Sequence, residues 1–335
     1  DYNAPALLYQ LQEAGLVLAS AFKPFTTRVG ETERAFSYGT LVLPVALQKK
    51  TPEEVYEILS EAQKQWQVPA FGVNTGYHLK GVDLGSRYMR PLEKPRAAML
   101  IGEGVRSYEA GEVWHLLDTR VDMPITKIPL RDFGGTDLGK YNTLVMVSGR
   151  YNLDEKQQAR IRDWVSGGNT LIAIAGGARY AIGQEWVSES LLEDKKDSTR
   201  ANPRKPYVDA PEDLGRESVG GVILGADLDL THPLAFGYTR RELPVYKNNE
   251  IWLHPSKNPY ATVAKYAGDP HIDGFLSRRN REEFLPKAAS LLVSPLGNGR
   301  VVLFADNPNF RGSWYGTNRL FLNALFLGNH IRIPE

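Results

Sequence analysis

Three apolar runs each end in small or polar residues that could touch a ligand. Glu103 and Ser107 follow residues 96–101. Ser148 and Arg150 follow residues 142–147. Gly176, Gly177 and Arg179 follow residues 169–175. A carboxylate, two hydroxyls and two guanidiniums on glycine-rich loops could hold a polar small molecule. A nucleophile is harder to find. The chain has no cysteine, which removes thiolate nucleophiles, thiolate metal sites and disulfides. Gly-x-Ser-x-Gly, the elbow of serine hydrolases, is absent. Ser148 sits in Val147-Ser148-Gly149-Arg150, with no histidine placed by sequence to act as its base.

The six histidines, His78, His115, His232, His254, His271 and His330, are scattered, and none begins a His-x-x-Glu pair. Zinc needs ligands converging from clustered positions, so no metal site is expected. His115, in His-Leu-Leu-Asp118, comes nearest, and its apolar neighbours predict a packed, hydrogen-bonded ring. The segment 102–107 is glycine-rich and precedes a helix, as phosphate loops do. It matches neither phosphate-loop pattern, and Glu103 would repel phosphate, so a tight turn presenting Glu103 and Ser107 fits better. The densest polar and aromatic cluster is 306–316, with Asn307, Asn309 and Arg311. It could grip a polar ligand or a sugar face, or tie its own loop down by hydrogen bonds.

The elements that position these residues alternate. Strands are predicted at 96–101, 142–149 and 169–178, and helices at 108–117 and 154–166. Alternation of this kind predicts an α/β fold with a doubly wound, mainly parallel, flavodoxin-like sheet. Such sheets collect ligands at the carboxyl ends of their strands. Glu103, Ser107, Ser148, Arg150, Gly176, Gly177 and Arg179 would therefore line one cleft. Shorter strands are predicted at 221–226, 242–247, 262–266 and 299–305, and a closing helix at 315–327.

A smaller α/β domain is predicted over 1–94, before a larger one over 95–335. It would hold strands at 15–21, 39–46 and 69–74. Its helix would open at Thr51-Pro52-Glu53-Glu54, with a capping threonine, a proline in the first turn and acidic residues at the positive end. Residues 91–95 read as a linker. A charged insertion near 193–218 reads as solvated.

Forty basic and thirty-nine acidic residues give a net charge of +1. This balance gives no support for a nucleic-acid partner, which favours a concentrated basic face. No run approaches the ~18 apolar residues of a membrane span. The chain begins Asp1-Tyr2-Asn3, without methionine or a signal peptide, and is expected to be a portion of a longer protein.

Four segments carry a resemblance to a known family: 36–44 (FSYGTLVLP), 81–86 (GVDLGS), 102–114 (GEGVRSYEAGEVW) and 300–312 (RVVLFADNPNFRG). Together they resemble the C-terminal region of bacterial M14-type zinc carboxypeptidase-like proteins, common in Bacteroidetes, and the likeness covers nearly the whole chain. The resemblance implies an upstream peptidase domain that would hold the zinc and its general-base glutamate. No cofactor is then expected in this chain, and no catalytic residue carries over. It also implies a class I glutamine-amidotransferase-like fold. Active members of that fold carry a cysteine on the strand-to-helix elbow. Ile174-Ala175-Gly176-Gly177 places Ala175 at that position, and no His-x-Glu pair completes a triad. The expected function is that of a non-catalytic accessory region of a periplasmic or secreted protein. It would position the peptidase domain or bind a peptide or cell-wall glycan. Two alternatives are an independent hydrolase or transferase using Glu103, Ser148 and Arg150, and a carbohydrate-binding module.

Overall fold

The computed structural model describes residues 1–193 and 204–334. The chain opens with α1 (Ala4–Glu13), β1 (Ala19–Ala21), β2 (Phe25–Val29), β3 (Thr32–Phe36), β4 (Leu41–Val42), α2 (Pro52–Trp66), β5 (Lys80–Gly81) and β6 (Met89–Pro91). Helix α2 starts as its sequence dictates. The Thr51 hydroxyl accepts from the Glu54 N–H, and the Glu54 carboxylate accepts from the Thr51 N–H. Two antiparallel three-stranded sheets form here, in the orders β4-β1-β6 and β3-β2-β5.

Several expectations for this region need correction. The strand expected at 15–21 is three residues long, and the one at 39–46 is reduced to the half-buried pair Leu41–Val42. Pro44 lacks an N–H for a sheet ladder, and Val45–Leu47 turns into a 3-10 helix. Residues 69–74 form no strand and are mostly exposed. Pro69 and Gly72 disfavour one. Residues 91–95 are not a free linker: Pro91 is in β6 and Leu92 is buried. The boundary at 94 separates two sets of strands but cuts through the main core, although Ala21, Phe25 and Met89 form a small second cluster of their own. Leu7, Leu8 and Leu11 of α1 and Val55 and Ala62 of α2 belong to the same hydrophobic cluster as the central sheet.

The remainder comprises β7 (Ala97–Ile101), α3 (Ser107–Arg120), β8 (Thr126–Pro129), β9 (Thr143–Met146), α4 (Glu155–Ser166), β10 (Thr170–Ile174), α5 (Gly176–Gly183), α6 (Ala210–Glu217), β11 (Val222–Leu228), β12 (Glu242–Lys247), β13 (Thr262–Gly274), β14 (Ala289–Leu296), β15 (Gly299–Phe304) and α7 (Tyr315–Leu327). Nine strands make one sheet, ordered β12-β11-β13-β14-β15-β10-β9-β7-β8. The run β8-β7-β9-β10-β15 is parallel throughout. Counted along the chain, its order is 2-1-3-4-5, which is flavodoxin-like. The fold is thus the doubly wound, flavodoxin-like α/β class expected for the larger part of the chain. All residues of β9, β10 and β15 are buried, because helices cover both faces of a parallel sheet.

Four antiparallel strands extend the sheet beyond β15. Two strands of this nine-stranded sheet went unread in the sequence. Strand β8 is a short edge strand, exposed at its start. Strand β14 is interrupted by Ser290, Ser294 and Pro295, and joins β15 through Gly297-Asn298. Of the charged insertion, residues 194–203 lie outside the described residues, and its last part forms α6.

Candidate functional site at the strand ends

The turn from β10 into α5 is built by backbone constraint. Ala175 has φ 49° and ψ −111°, a conformation that costs a non-glycine residue about 1–3 kcal/mol. Its N–H donates to the Phe304 carbonyl (2.8 Å), which holds the turn against β15. The next two positions must be glycine. A Cβ on Gly177 would lie 2.2 Å from the Met146 carbonyl oxygen, and one on Gly176 would lie 2.9 Å from Ser148 Cα. The sharp strand-to-helix turn is the backbone shape on which a nucleophile elbow depends. What it presents is the buried methyl of Ala175.

Ser148 faces this turn across the end of β9, and its Oγ accepts from the Gly176 N–H (2.9 Å). Among the described residues no histidine or carboxylate is bonded to this hydroxyl, so nothing there would take its proton. The loop after β7 is zipped onto the same segment. Arg106 N–H donates to the Ser148 carbonyl (2.9 Å) and Arg150 N–H to the Gly104 carbonyl (2.8 Å). Gly104 is at φ 87°, where a Cβ would lie 2.6 Å from the Arg150 carbonyl oxygen. Glu103, Ser107 and Arg150 are exposed around this junction. The structure thus brings Ser148 and Gly176 into direct contact and ties the Glu103 and Arg150 loops together through backbone bonds.

Two carboxylates that sequence reasoning missed organise the rest. Glu109 and Glu112 stand one turn apart on α3. Glu109 Oε2 accepts from the Ser148 N–H (2.8 Å). Glu112 accepts from Asn307 Nδ2 (2.5 Å) and from the Arg311 N–H (2.7 Å). One helix face therefore clamps two loops. Burial pushes the Glu112 carboxyl above its usual range, with a contribution from the Glu109 charge, while its two hydrogen bonds act the other way. The only signal in the sequence was Glu-x-x-Glu on the first helix of the larger region, a spacing shared by many solvated faces.

Of the two roles left open for 306–316, this geometry supplies hydrogen bonds that tie the loop down. Asn307 and Asn309 are buried rather than offered to solvent. Asn307 Oδ1 accepts from the Asn309 N–H (3.0 Å). Both polar atoms of the Asn309 amide are buried without a partner. The Arg311 side chain is exposed; it is its backbone, at φ 52°, that Glu112 holds.

Arg179 leaves the cleft. Its guanidinium donates to the Glu250 carbonyl (3.3 Å) and lines a separate cavity of about 190 Å³ with Leu191, Trp252 and Phe284. Beneath it lies a closed ionic network. Lys247 Nζ donates to Asp306 Oδ1 (3.1 Å) and the Ile251 carbonyl (2.7 Å). Tyr266 and Ser290 donate their hydroxyls to the Asp306 carboxylate. Burial pushes the Lys247 ammonium pKa down, against the pull of Asp306. Removing one partner of such a pair leaves an uncompensated buried charge.

The expectation of a packed His115 is corrected: it is exposed on α3. Among the described residues no three of His, Asp or Glu come together to hold a metal. Likewise, no helix among them is long and apolar enough to cross a membrane.

No protein-family model matches the chain, and no curated protein matches it. Solved structures share its trace distantly. A protein from Parabacteroides merdae described as ThuA-like is 12% identical, over 72% of this chain and 92% of that one, with a TM-score of 0.45. A protein from Thermoplasma acidophilum described as a GMP synthase component is 15% identical, over 70% and 94%, with a TM-score of 0.37. A Bacillus circulans β-galactosidase is 11% identical, over 82% of this chain and 34% of that one, with a TM-score of 0.40.

Proposed function

We propose that this chain is a non-catalytic α/β module that acts by binding or positioning, as an accessory region of an exported M14-type zinc carboxypeptidase-like protein. One observation carries the non-catalytic part. The elbow keeps a strained, nucleophile-type backbone at Ala175 while presenting only a methyl group. Covalent catalysis needs a nucleophile with an adjacent base. The hydroxyl nearest the elbow, Ser148, is instead a brace for the Gly176 N–H. The carboxylates beside it are also occupied by backbone groups. The four segments that resemble the M14-associated region support the parent protein, and a periplasmic or secreted location goes with it. The upstream peptidase domain, a peptide or a cell-wall glycan is then the partner.

The test is metal analysis after dialysis, together with hydrolysis of a blocked dipeptide with and without added zinc. The reading expects no stoichiometric zinc and no release of the terminal residue. Retained zinc at one per chain, or zinc-dependent release, overturns it.

A further inference from the structure

The opposite pole of the sheet, where β10 and β15 begin, carries a second cavity. Arg300, at the start of β15, donates to the Gly168 carbonyl (3.0 Å), Thr170 Oγ1 (3.3 Å), Asn329 Oδ1 (3.2 Å) and the Asn298 carbonyl (2.7 Å). Asn329 Oδ1 also accepts from the Thr170 hydroxyl (2.8 Å). Arg90, in β6, donates to the His330 carbonyl (2.7 Å), and its guanidinium lies 4.3 Å over the Phe22 ring. This framework borders a half-open cavity of about 270 Å³ lined by Arg87, Arg90, Asn329, His330 and Arg332.

The lining is strongly one-signed. Among the described residues Arg87, Arg90 and Arg332 form no ion pair. The carboxylate at this pole, Glu93, is engaged by Arg96 (3.3 Å) and by Asn329 Nδ2 (3.3 Å). Arg300 Nε and His330 Nε2 are buried without partners. The crowding registers in the ionisation of the groups themselves. Burial and the charge of Arg332 lower Arg90 and bring Arg300 down to about 10. Burial and the charges of Arg90, Arg300 and Arg332 hold His330 below its usual range. Guanidiniums present a fork of donors matched to oxyanions, and several around one cavity match a doubly charged group.

We propose that this cavity is a binding site for a small tetrahedral oxyanion, a phosphate or sulfate group, held by Arg87, Arg90 and Arg332. At about 270 Å³ it falls just below the ~300–1,000 Å³ of sites for drug-sized ligands. It therefore suits either the free anion or the ester of a small alcohol or sugar. The site is independent of the elbow: it uses none of its residues and lies at the other end of the strands.

The experiment is isothermal titration with inorganic phosphate, sulfate and a hexose monophosphate, at constant ionic strength set by sodium chloride. It is run on the intact chain and on Arg332→Gln and Arg87→Gln. Both side chains are exposed, so either variant can serve if the other fails to fold. Saturable binding that each folded variant weakens at least tenfold is the expected result. Tighter binding of the hexose monophosphate than of phosphate assigns the ester, and equal binding assigns the free anion. Heats no larger than those from added sodium chloride, or binding unaltered in the folded variants, overturn the proposal.

Discussion

The Gly176 N–H and the Ser148 Oγ meet 2.9 Å apart, across the ends of β10 and β9. This bond occupies the first amide after the elbow and the hydroxyl nearest to it. Both groups are the kind a hydrolytic site would turn toward its substrate. Here each satisfies the other, and the hydroxyl becomes part of the frame.

Ser148→Ala should therefore cost stability. The substitution leaves the Gly176 N–H without its partner in a half-buried turn, at about 1–3 kcal/mol. Urea unfolding should show a lower midpoint with an unchanged slope. An unchanged midpoint would show that the bond carries nothing.

Ala175→Gly should relieve the strain at φ 49°. Relief of about 1–3 kcal/mol competes with the loss of a buried methyl and the greater freedom of the unfolded chain. The net expectation is a midpoint at or above that of the unaltered chain. Ala173→Gly, in the regular part of β10, is the control and should be destabilising. Equal destabilisation by the two substitutions would contradict the strained elbow.

Gly177→Ala tests the close approach beneath the turn. Its Cβ would be driven to 2.2 Å from the Met146 carbonyl oxygen, and the next nearest atoms are also backbone, of Met146 and Val147. A loss of about 3 kcal/mol or more is expected, at the upper end for overpacking. A midpoint within error of the original would mean that the strands are not so closely set.

His232 contributes to the acid limb of the stability. The ring is buried, and burial lowers its pKa to about 4. In the unfolded chain it titrates near ~6.5. Between those values the unfolded state binds more protons, so stability is lost as pH falls from ~6.5 toward 4, by about 3 kcal/mol in full. Its Nδ1 accepts from the Leu234 N–H (3.2 Å), a bond that asparagine can also make. For His232→Asn, the stability difference from the unaltered chain should shift in favour of the variant by about 3 kcal/mol across that window. A difference independent of pH would contradict it.

The parallel half of the fold was legible because strands buried on both faces read as continuous apolar runs, as in 142–147 and 169–175. The glycines after them marked the elbow for the same local reason. What the sequence hid depends on contacts between distant positions. Glu109 and Glu112 look like any solvated helical pair until α3 is laid against residues 148 and 307–311. Arg90, His330 and Arg332 are brought to one cavity only by the meeting of β6 with the chain after α7. Strand β14 was masked by two serines and a proline whose positions make sense only beside β15.

Ammonia release from glutamine tests the central claim most directly, because it asks whether an elbow of this shape works without a thiol. It is measured for the intact chain, for Ser148→Ala and for a heat-inactivated sample, at equal protein concentration. All three should be indistinguishable. Release by the intact chain above the heat-inactivated sample, abolished in Ser148→Ala, would show that Ser148 is a nucleophile and that the module is an enzyme.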